Sequence, residues 1–484
     1  MNWLLALVTS AAFVEIFIRL GVLTRAQEVN RLSRRSIRTI GYKRASDHWK
    51  EKAVGAYAVR MMGASLLLGL GMVVAVLPFL VAGFATLNTT EPYLHFVSGL
   101  VGIVACTAFA IGYAMLRPSI FGSSETKAKA SEGDYSGSSK MLHKLALNPA
   151  VAEMSFDLER KLHGRDAPDA ARGRHVFVCG LARAGTTILM RELYATGEFG
   201  SLTYRDMPFV LAPNLWRGLW QKSAKKHASA ARAHDDGLEH GFDSPEALEE
   251  VFWRIQAGGD YLEKDRLQPM DANEETVDAL RAYIGVILKA TGKPRYLSKN
   301  NNSILRLGSV AKAFPESRIL VPYRDPRQHA FSLFKQHRHF QQMHQEDPFA
   351  LQYMRWLAHH EFGADHRPFR FQPEEELPGN PESFDYWVTL WCQVYEHLLA
   401  HLPETARLVS YERLCGETEL VWTALADDLI LGNAPAPDNL RAAQVAETPE
   451  LSDAVRVRAE TCHQNLLNSP TNMGGPANLA ATSA

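Results

Sequence analysis

Three short stretches of the chain place cationic and hydroxyl side chains where a phosphate-bearing ligand could be held. In the first, the apolar run Val176-Phe177-Val178-Cys179 leads into Gly180-Leu181-Ala182-Arg183-Ala184-Gly185-Thr186-Thr187. Glycine lets a backbone approach an anion closely, and hydroxyls at the start of a helix add donors to the positive end of its dipole. The spacing is not that of a loop that hydrolyses nucleoside triphosphates. Such a loop needs GxxxxGK[ST], and here Thr186 stands where the lysine would be. Arg183 supplies a cation earlier in the loop instead.

The second stretch is an apolar strand, Arg318-Ile319-Leu320-Val321-Pro322-Tyr323, that turns at Arg324-Asp325-Pro326 into a helix carrying Ser332, eight positions after Arg324. An arginine at a strand end can fork onto a dianionic phosphate while the serine hydroxyl approaches from the other side. The third, Arg295-Tyr296-Leu297-Ser298-Lys299-Asn300-Asn301, is a strand ending in a cation. Taken singly, each has an ordinary structural explanation as a helix cap, a strand-to-helix turn or a surface charge. Unrelated caps have no reason to recur as three strand ends in a row, so the set argues for one ligand site.

In this order the stretches resemble sulfotransferases that use PAPS (3′-phosphoadenosine 5′-phosphosulfate). The resemblance runs over roughly residues 174 to 416 and includes Trp387, Trp391 and Tyr411-Glu412-Arg413-Leu414; it departs at Asn301, where the family commonly has proline. It implies an α/β fold, a parallel sheet flanked by helices with the ligand at the carboxyl ends of the strands. It further implies that Arg183, Ala184, Gly185, Thr186 and Thr187 bind the 5′-phosphosulfate and that Arg324 and Ser332 hold the 3′-phosphate. Arg183 and Lys299 would neutralise the leaving phosphate oxygen as the sulfuryl group passes to a hydroxyl, less readily an amine, and no metal is required. A general base is still needed. Asp206, in the segment after the first helix, is the first choice, with His240, Glu249 and Glu250 in reserve; surface ion pairing and solvated helix faces are the structural alternatives for these groups. Two rival readings stay open: a kinase or nucleotidase, which would need a Mg²⁺ carboxylate, and a non-catalytic membrane scaffold of a polysaccharide assembly system.

The elements that would position these residues follow a different kind of chain. The 484 residues allow two or three units, and the formal net charge of −1 carries no nucleic-acid signal. Five scattered cysteines without metal spacing fit a reducing compartment. Trp3 to Ile18 is apolar apart from Glu15 and reads as an anchor rather than a cleaved leader. Met61 to Leu87 and Phe96 to Leu116 meet the length needed to span a bilayer. Residues 21 to 60 carry ten Lys and Arg against three acidic residues, whereas Asn88 to His95 has no Lys or Arg. The basic loop should therefore be cytoplasmic, and with it the catalytic part, at the inner membrane where PAPS would be met. The domain expectation is a membrane anchor at 1–121 with about three transmembrane helices, a hydrophilic linker at 122–140, the sulfotransferase domain at 141–432, and a C-terminal extension at 433–484 whose last dozen residues are disordered. A helix is expected over Met141 to His163. The histidine-rich stretch from His337 to Pro381 reads as a lid or acceptor-binding insertion rather than a metal site. The expected partners are the bilayer and a glycan, lipid-linked saccharide or lipid acceptor.

Overall fold

The computed structural model describes residues 2–22, 47–87, 92–113, 137–218, 247–372 and 379–473, with short gaps inside the third and last ranges, and scattered positions between 25 and 33. It divides into two units, Met1–Leu142 and His143–Ala484.

The first unit contains α1 (Asn2–Arg19), α2 (Asp47–Ala85) and α3 (Tyr93–Ser98). Asn2–Arg19 and Tyr57–Ala85 are long and apolar enough to cross a membrane, with mean hydropathies of 1.4 and 2.5. Thr9 Oγ1 lies 2.6 Å from the Tyr93 hydroxyl, joining α1 to α3. The expected span Phe96–Leu116, the centre of the basic loop and most of the linker fall partly or wholly outside the described residues.

The second unit is built on five parallel strands in the order β2-β3-β1-β4-β5: β1 (Val176–Val178), β2 (Phe199–Gly200), β3 (Arg295–Lys299), β4 (Arg318–Tyr323) and β5 (Ala406–Ser410). Alternation along the strands divides the core. Val176, Val178, Leu297, Leu320 and Val409 face one side, where Leu189, Met190 and Leu193 of α6 (Thr186–Ala195) pack with Trp422 and Leu425 of the later helix Thr418–Leu429. Phe177, Ile319, Val321 and Leu408 face the larger core on the other side. Burial on both faces is what a parallel sheet requires, and it explains why its strands are short apolar runs.

The expected helix over 141–163 is two helices, α4 (Gly137–Ala146) and α5 (Pro149–His163). The Asn148 side chain accepts from Ala150 N at 3.1 Å, and Pro149 cannot extend the preceding helix, so the apolar periodicity is cut there. The other elements that shape the site are α7 (Glu250–Tyr261), α8 (Glu274–Thr291), α9 (Leu307–Ala313), α10 (Pro326–Glu346), α11 (Pro348–Trp356), α12 (Phe384–His401), α13 (Tyr411–Gly416), α14 (Thr418–Leu429) and α15 (Asp453–Leu467). The C-terminal residues are part of this unit. Ala459, Cys462 and Leu466 of α15 join the larger core, and Leu408 of β5 exchanges backbone hydrogen bonds with Thr471 and Met473. The last dozen residues lie almost wholly outside the described ones.

Candidate active site

The carboxyl ends of β1, β3 and β4 stand side by side, because Val178 is in register with both Lys299 and Leu320. The loop from 179 to 185 leaves β1 at this edge. Three of its residues have positive φ: Gly180 at 148°, Arg183 at 69° and Gly185 at 94°. The last caps α6 in a left-handed conformation and offers no side chain, so the first-turn amides of the helix remain open to an anion. A non-glycine residue in the left-handed region costs on the order of 1 kcal/mol, and two side chains hold the loop there. Arg324 Nη1 donates to the Arg183 carbonyl at 3.2 Å, and His329 Nε2 donates to the Ala182 carbonyl at 2.8 Å. His329 in turn accepts from Trp391 Nε1 at 3.1 Å. Burial pushes this imidazole down to about 3, so it stays neutral and keeps both bonds.

The expected phosphate residues converge. Arg183 Nε donates to Ser332 Oγ at 3.2 Å, while the Arg324 guanidinium lies over the Tyr411 ring, 4.9 Å from its centroid. Arg324 Nε is buried without a hydrogen-bond partner, and the nearest carboxylate, Glu412, is 3.9 Å away. Asp325 caps α10 by accepting from Gln328 N at 2.9 Å, and its own amide donates to Glu412. One helix start thus carries Arg324, His329 and Ser332, and all three reach the β1 loop. Ala184 and Thr186 are buried within that loop, and Thr187 is half-buried at the helix start. Ser332 differs from expectation in contacting Arg183, which links the two expected subsites through one hydroxyl. Cys179 is fully enclosed, with its thiol pushed up to about 12 by burial, an inert packing residue.

Lys299 closes β3 beside the root of the loop, with Asn300 N donating to Val178 O at 2.9 Å. Beneath it lies a buried polar network. Glu249 accepts from Trp253 Nε1 at 3.0 Å and from the Tyr296 hydroxyl at 3.1 Å. Glu250 accepts from Asn300 Nδ2 at 2.8 Å, from Arg306 Nη2 at 2.5 Å and from the Tyr261 hydroxyl. Arg306 is also sandwiched by the rings of Trp253 and Tyr261, at 4.5 and 4.6 Å. The two glutamates held in reserve as bases are therefore committed to interior donors that fix Asn300 and the end of β3. His240 lies outside the described residues.

Asp206, the expected general base, sits in an interior ion pair. Its carboxylate is fully buried and takes a bidentate contact from Arg217, at 2.7 and 2.8 Å, while Thr203 N donates to it at 2.9 Å. Arg217 also binds Ala290 O in the last turn of α8, which feeds the amino end of β3, away from the loop. The segment after the first helix signals a carboxylate, but nothing local announces that Arg217 would claim both its oxygens. Asp206→Asn should lower the stability of the catalytic unit by about 3 kcal/mol, because it removes the negative charge opposite a partly buried guanidinium. Turnover per folded molecule should stay within about threefold of normal, and denaturant titration alongside active-site counting separates the two effects.

The histidine-rich stretch forms α10, α11 and a 3₁₀ turn at Gly363–Asp365. His337 Nδ1 and His344 Nδ1 accept from Gly363 N and Ala364 N at 3.2 and 3.1 Å, and burial holds both imidazoles below their ordinary value. Among the described residues no group of three or more His, Cys, Asp or Glu is placed to hold a metal ion. The stretch delivers Glu361, which sequence reasoning missed. Its Oε1 accepts from Asn301 Nδ2 at 2.9 Å, and it borders a largely apolar void of about 10 Å³, room for no more than a water, with Leu181 and Ala182 of the β1 loop.

The model for the sulfotransferase family matches residues 175–431. The chain belongs to the sulfotransferase family. The matched range starts one residue before β1 and ends just past α14, so it contains the whole sheet and every site element above. Two solved structures are similar: sulfotransferase STF1 from Mycobacterium tuberculosis H37Rv, 15% identical over 65% of this chain and 78% of that one with a TM-score of 0.36, and sulfotransferase STF9 from Mycobacterium avium, 14% identical over 73% and 86% with a TM-score of 0.33. Overlaps this loose add nothing to the assignment of function. No curated protein matches the chain.

Proposed function

We propose that this sulfotransferase-family protein moves a sulfuryl group from PAPS to a hydroxyl, less readily an amine, of a glycan, lipid-linked saccharide or lipid at the inner face of the cytoplasmic membrane. The observation that carries the nucleotide assignment is Arg324 Nε. It is a buried donor without a hydrogen-bond partner, at a strand end one turn from the β1 loop. A buried, unmet guanidinium proton is costly, and a phosphate oxygen is a fitting acceptor for it. Gly185 and the open amides of α6 suit the 5′-phosphosulfate, together with Arg183, Ala184, Thr186 and Thr187. Arg324 and Ser332 suit the 3′-phosphate. Arg183 and Lys299 would then stabilise the charge that develops on the leaving phosphate oxygen.

The bilayer enters the reading through the two apolar helices, Asn2–Arg19 and Tyr57–Ala85. Together with the basic 21–60 loop they favour an anchor with the catalytic unit on the cytoplasmic side. The glycan or lipid acceptor follows from that setting alone, and no nucleic-acid partner is part of it.

Isothermal titration of the full-length protein tests the proposal. Adenosine 3′,5′-bisphosphate should bind tightly without Mg²⁺. A preference for Mg-ATP would instead support a kinase or nucleotidase, and binding of neither would support a scaffold. Arg324→Ala should weaken the bisphosphate by about 2–4 kcal/mol and a 3′-dephosphorylated analogue by clearly less, the smaller loss coming from the Arg183 carbonyl that the guanidinium also holds. Equal losses for both ligands would remove the 3′-phosphate assignment.

A further inference from the structure

Helix α5 (Pro149–His163) is apolar on two faces. One packs inward: Ala152, Phe156 and Glu159 are buried, with Phe156 edge-on to the rings of Phe252 and Tyr283 at 5.9 and 5.7 Å. Glu159 accepts there from the Asn214 and Leu215 amides at 2.9 and 3.1 Å. On the outer side Val151, Met154, Leu158 and Leu162 recur at spacings that bring them onto one row of the helix. Val151 is half-buried, whereas Met154, Leu158 and Leu162 are 65, 47 and 54% exposed. A helix that only covers a core carries polar residues on that side, so core packing explains the first row and leaves the second without a use.

The size of the row decides among occupants. Its three exposed side chains leave roughly 300 Å² of apolar surface in solvent, as much as the largest patch on many monomers. A stable contact between two proteins takes about 800 Å² from each partner, so the row is too small to hold a second copy by itself. A bilayer asks less of a surface already tethered to it, because insertion is then intramolecular. In chain order α4 and α5 follow the segment that holds Asn2–Arg19 and Tyr57–Ala85, the helices long and apolar enough to cross a membrane. The charges also suit a headgroup layer. Lys144 in α4, Lys161 next to Leu162, and Arg165 just past the helix are exposed and form no ion pair among the described residues. Of the nearby acids, Asp166 pairs with Lys289 at 3.5 Å and Asp169 accepts from the Ala171 amide at 2.9 Å, which leaves Glu153 and Asp157.

We propose that the outer row of α5 inserts into the headgroup–acyl boundary of an anionic bilayer and docks the catalytic unit on the membrane surface. The inference rests on the membrane-anchored reading above. Met154, Leu158 and Leu162 enter to a depth of about 5–10 Å, while Lys144, Lys161 and Arg165 stay at the level of the lipid phosphates. A lipid-borne acceptor then meets the catalytic unit in one orientation.

The test uses full-length protein in vesicles of phosphatidylcholine with about one-third phosphatidylglycerol. In a Cys106→Ser, Cys415→Ser background, a fluorophore is attached at Leu158→Cys or, as a control, at Glu419→Cys on α14, which packs on the other face of the sheet. Nitroxide on a shallow acyl carbon should quench the probe at 158 by at least about half and the control by less than about one-tenth, with weaker quenching from a nitroxide deep in the chain. Adding Met154→Gln and Leu162→Gln should lower the quenching at least about threefold and leave the melting temperature and adenosine 3′,5′-bisphosphate affinity unchanged. Equal quenching at both sites, or a probe at 158 that reports water in the vesicles, would overturn the inference. So would disulfide cross-linking of Leu158→Cys between copies, which assigns the row to a second copy, or a shielded probe with neither quenching nor cross-linking, which assigns it to another segment of this chain. All four results leave the anchor and the sulfuryl-transfer reading standing. Protein that does not float with the vesicles would overturn the anchor and the inference together, and bisphosphate binding tests the transfer reading separately.

Discussion

Gly185→Ala should reduce affinity for adenosine 3′,5′-bisphosphate by at least about 100-fold, a cost near 3 kcal/mol. Two effects combine. At φ 94° an L-residue is strained, and the added Cβ would lie 2.5 Å from Tyr411 Cδ2 and 3.0 Å from Cε2. Relief requires either the loop or the tyrosine ring to move. Movement of the loop closes the approach to the α6 amides, and movement of the ring withdraws the surface on which the Arg324 guanidinium rests. The single methyl therefore reaches both proposed subsites, whereas Ser332→Ala removes one hydroxyl and should cost on the order of 1 kcal/mol. Calorimetric titration against wild type reads the difference. A melting temperature close to normal with affinity lost would place the defect in the loop. Unchanged affinity would mean that the left-handed turn is not needed for nucleotide binding.

What the sequence revealed and what it hid divide along physical lines. The strands were legible because each is a short apolar run buried on both faces, and the turns were legible because glycine, Asp-Pro and hydroxyls have local conformational consequences. Arg183, Arg324 and Ser332 are brought together because each lies on the loop or helix that leaves the carboxyl end of a strand. Pairing between distant segments could not be read this way. Nothing near Asp206 specifies Arg217 as its partner, and nothing near Asn301 specifies Glu361, 60 residues on. The same holds for the helix over 453–467: a segment poor in aromatic residues looked like an appendage, yet Ala459, Cys462 and Leu466 complete the core against α12. His329 carried no signal at all, because a histidine that clamps a loop carbonyl is indistinguishable in sequence from one on a surface.

Those hidden histidines lead to the second large effect, loss of the catalytic unit's fold in mild acid. His175 and His329 are each fully buried, and each uses one ring nitrogen as an acceptor: His175 Nδ1 takes the Tyr296 amide at 3.0 Å, and His329 Nδ1 takes Trp391 Nε1. The other ring nitrogen donates to Ala170 O in one case and Ala182 O in the other. Protonation would set two N–H dipoles head to head, and the neighbouring cations, Arg295 beside His175 and Arg324 and Arg183 beside His329, oppose it further. Burial first, and these charges after it, lower the two imidazoles to about 4 and about 3 in the folded state. An unfolded histidine titrates near 6.5, so as pH falls below that value the unfolded chain gains protons that the native chain refuses. Stability present above about pH 6.5 is lost progressively through the window down to the folded values. The two groups together account for on the order of 8 kcal/mol, comparable with the whole stability of an ordinary domain. His337 and His344, which accept the Gly363 and Ala364 amides, act in the same direction. The unit should be stable between about pH 7 and 8 and unfold between about pH 6 and 4, with the slope of stability against pH at its steepest near pH 5. His329→Gln can still donate to Ala182 O and accept from Trp391 but cannot titrate. It should flatten that slope by about 1.4 kcal/mol per pH unit, as read from denaturant titrations at a series of pH values. An unchanged slope in this variant would mean that the imidazole under the β1 loop is already charged in the native protein, and the clamp on the Ala182 carbonyl would then need another explanation.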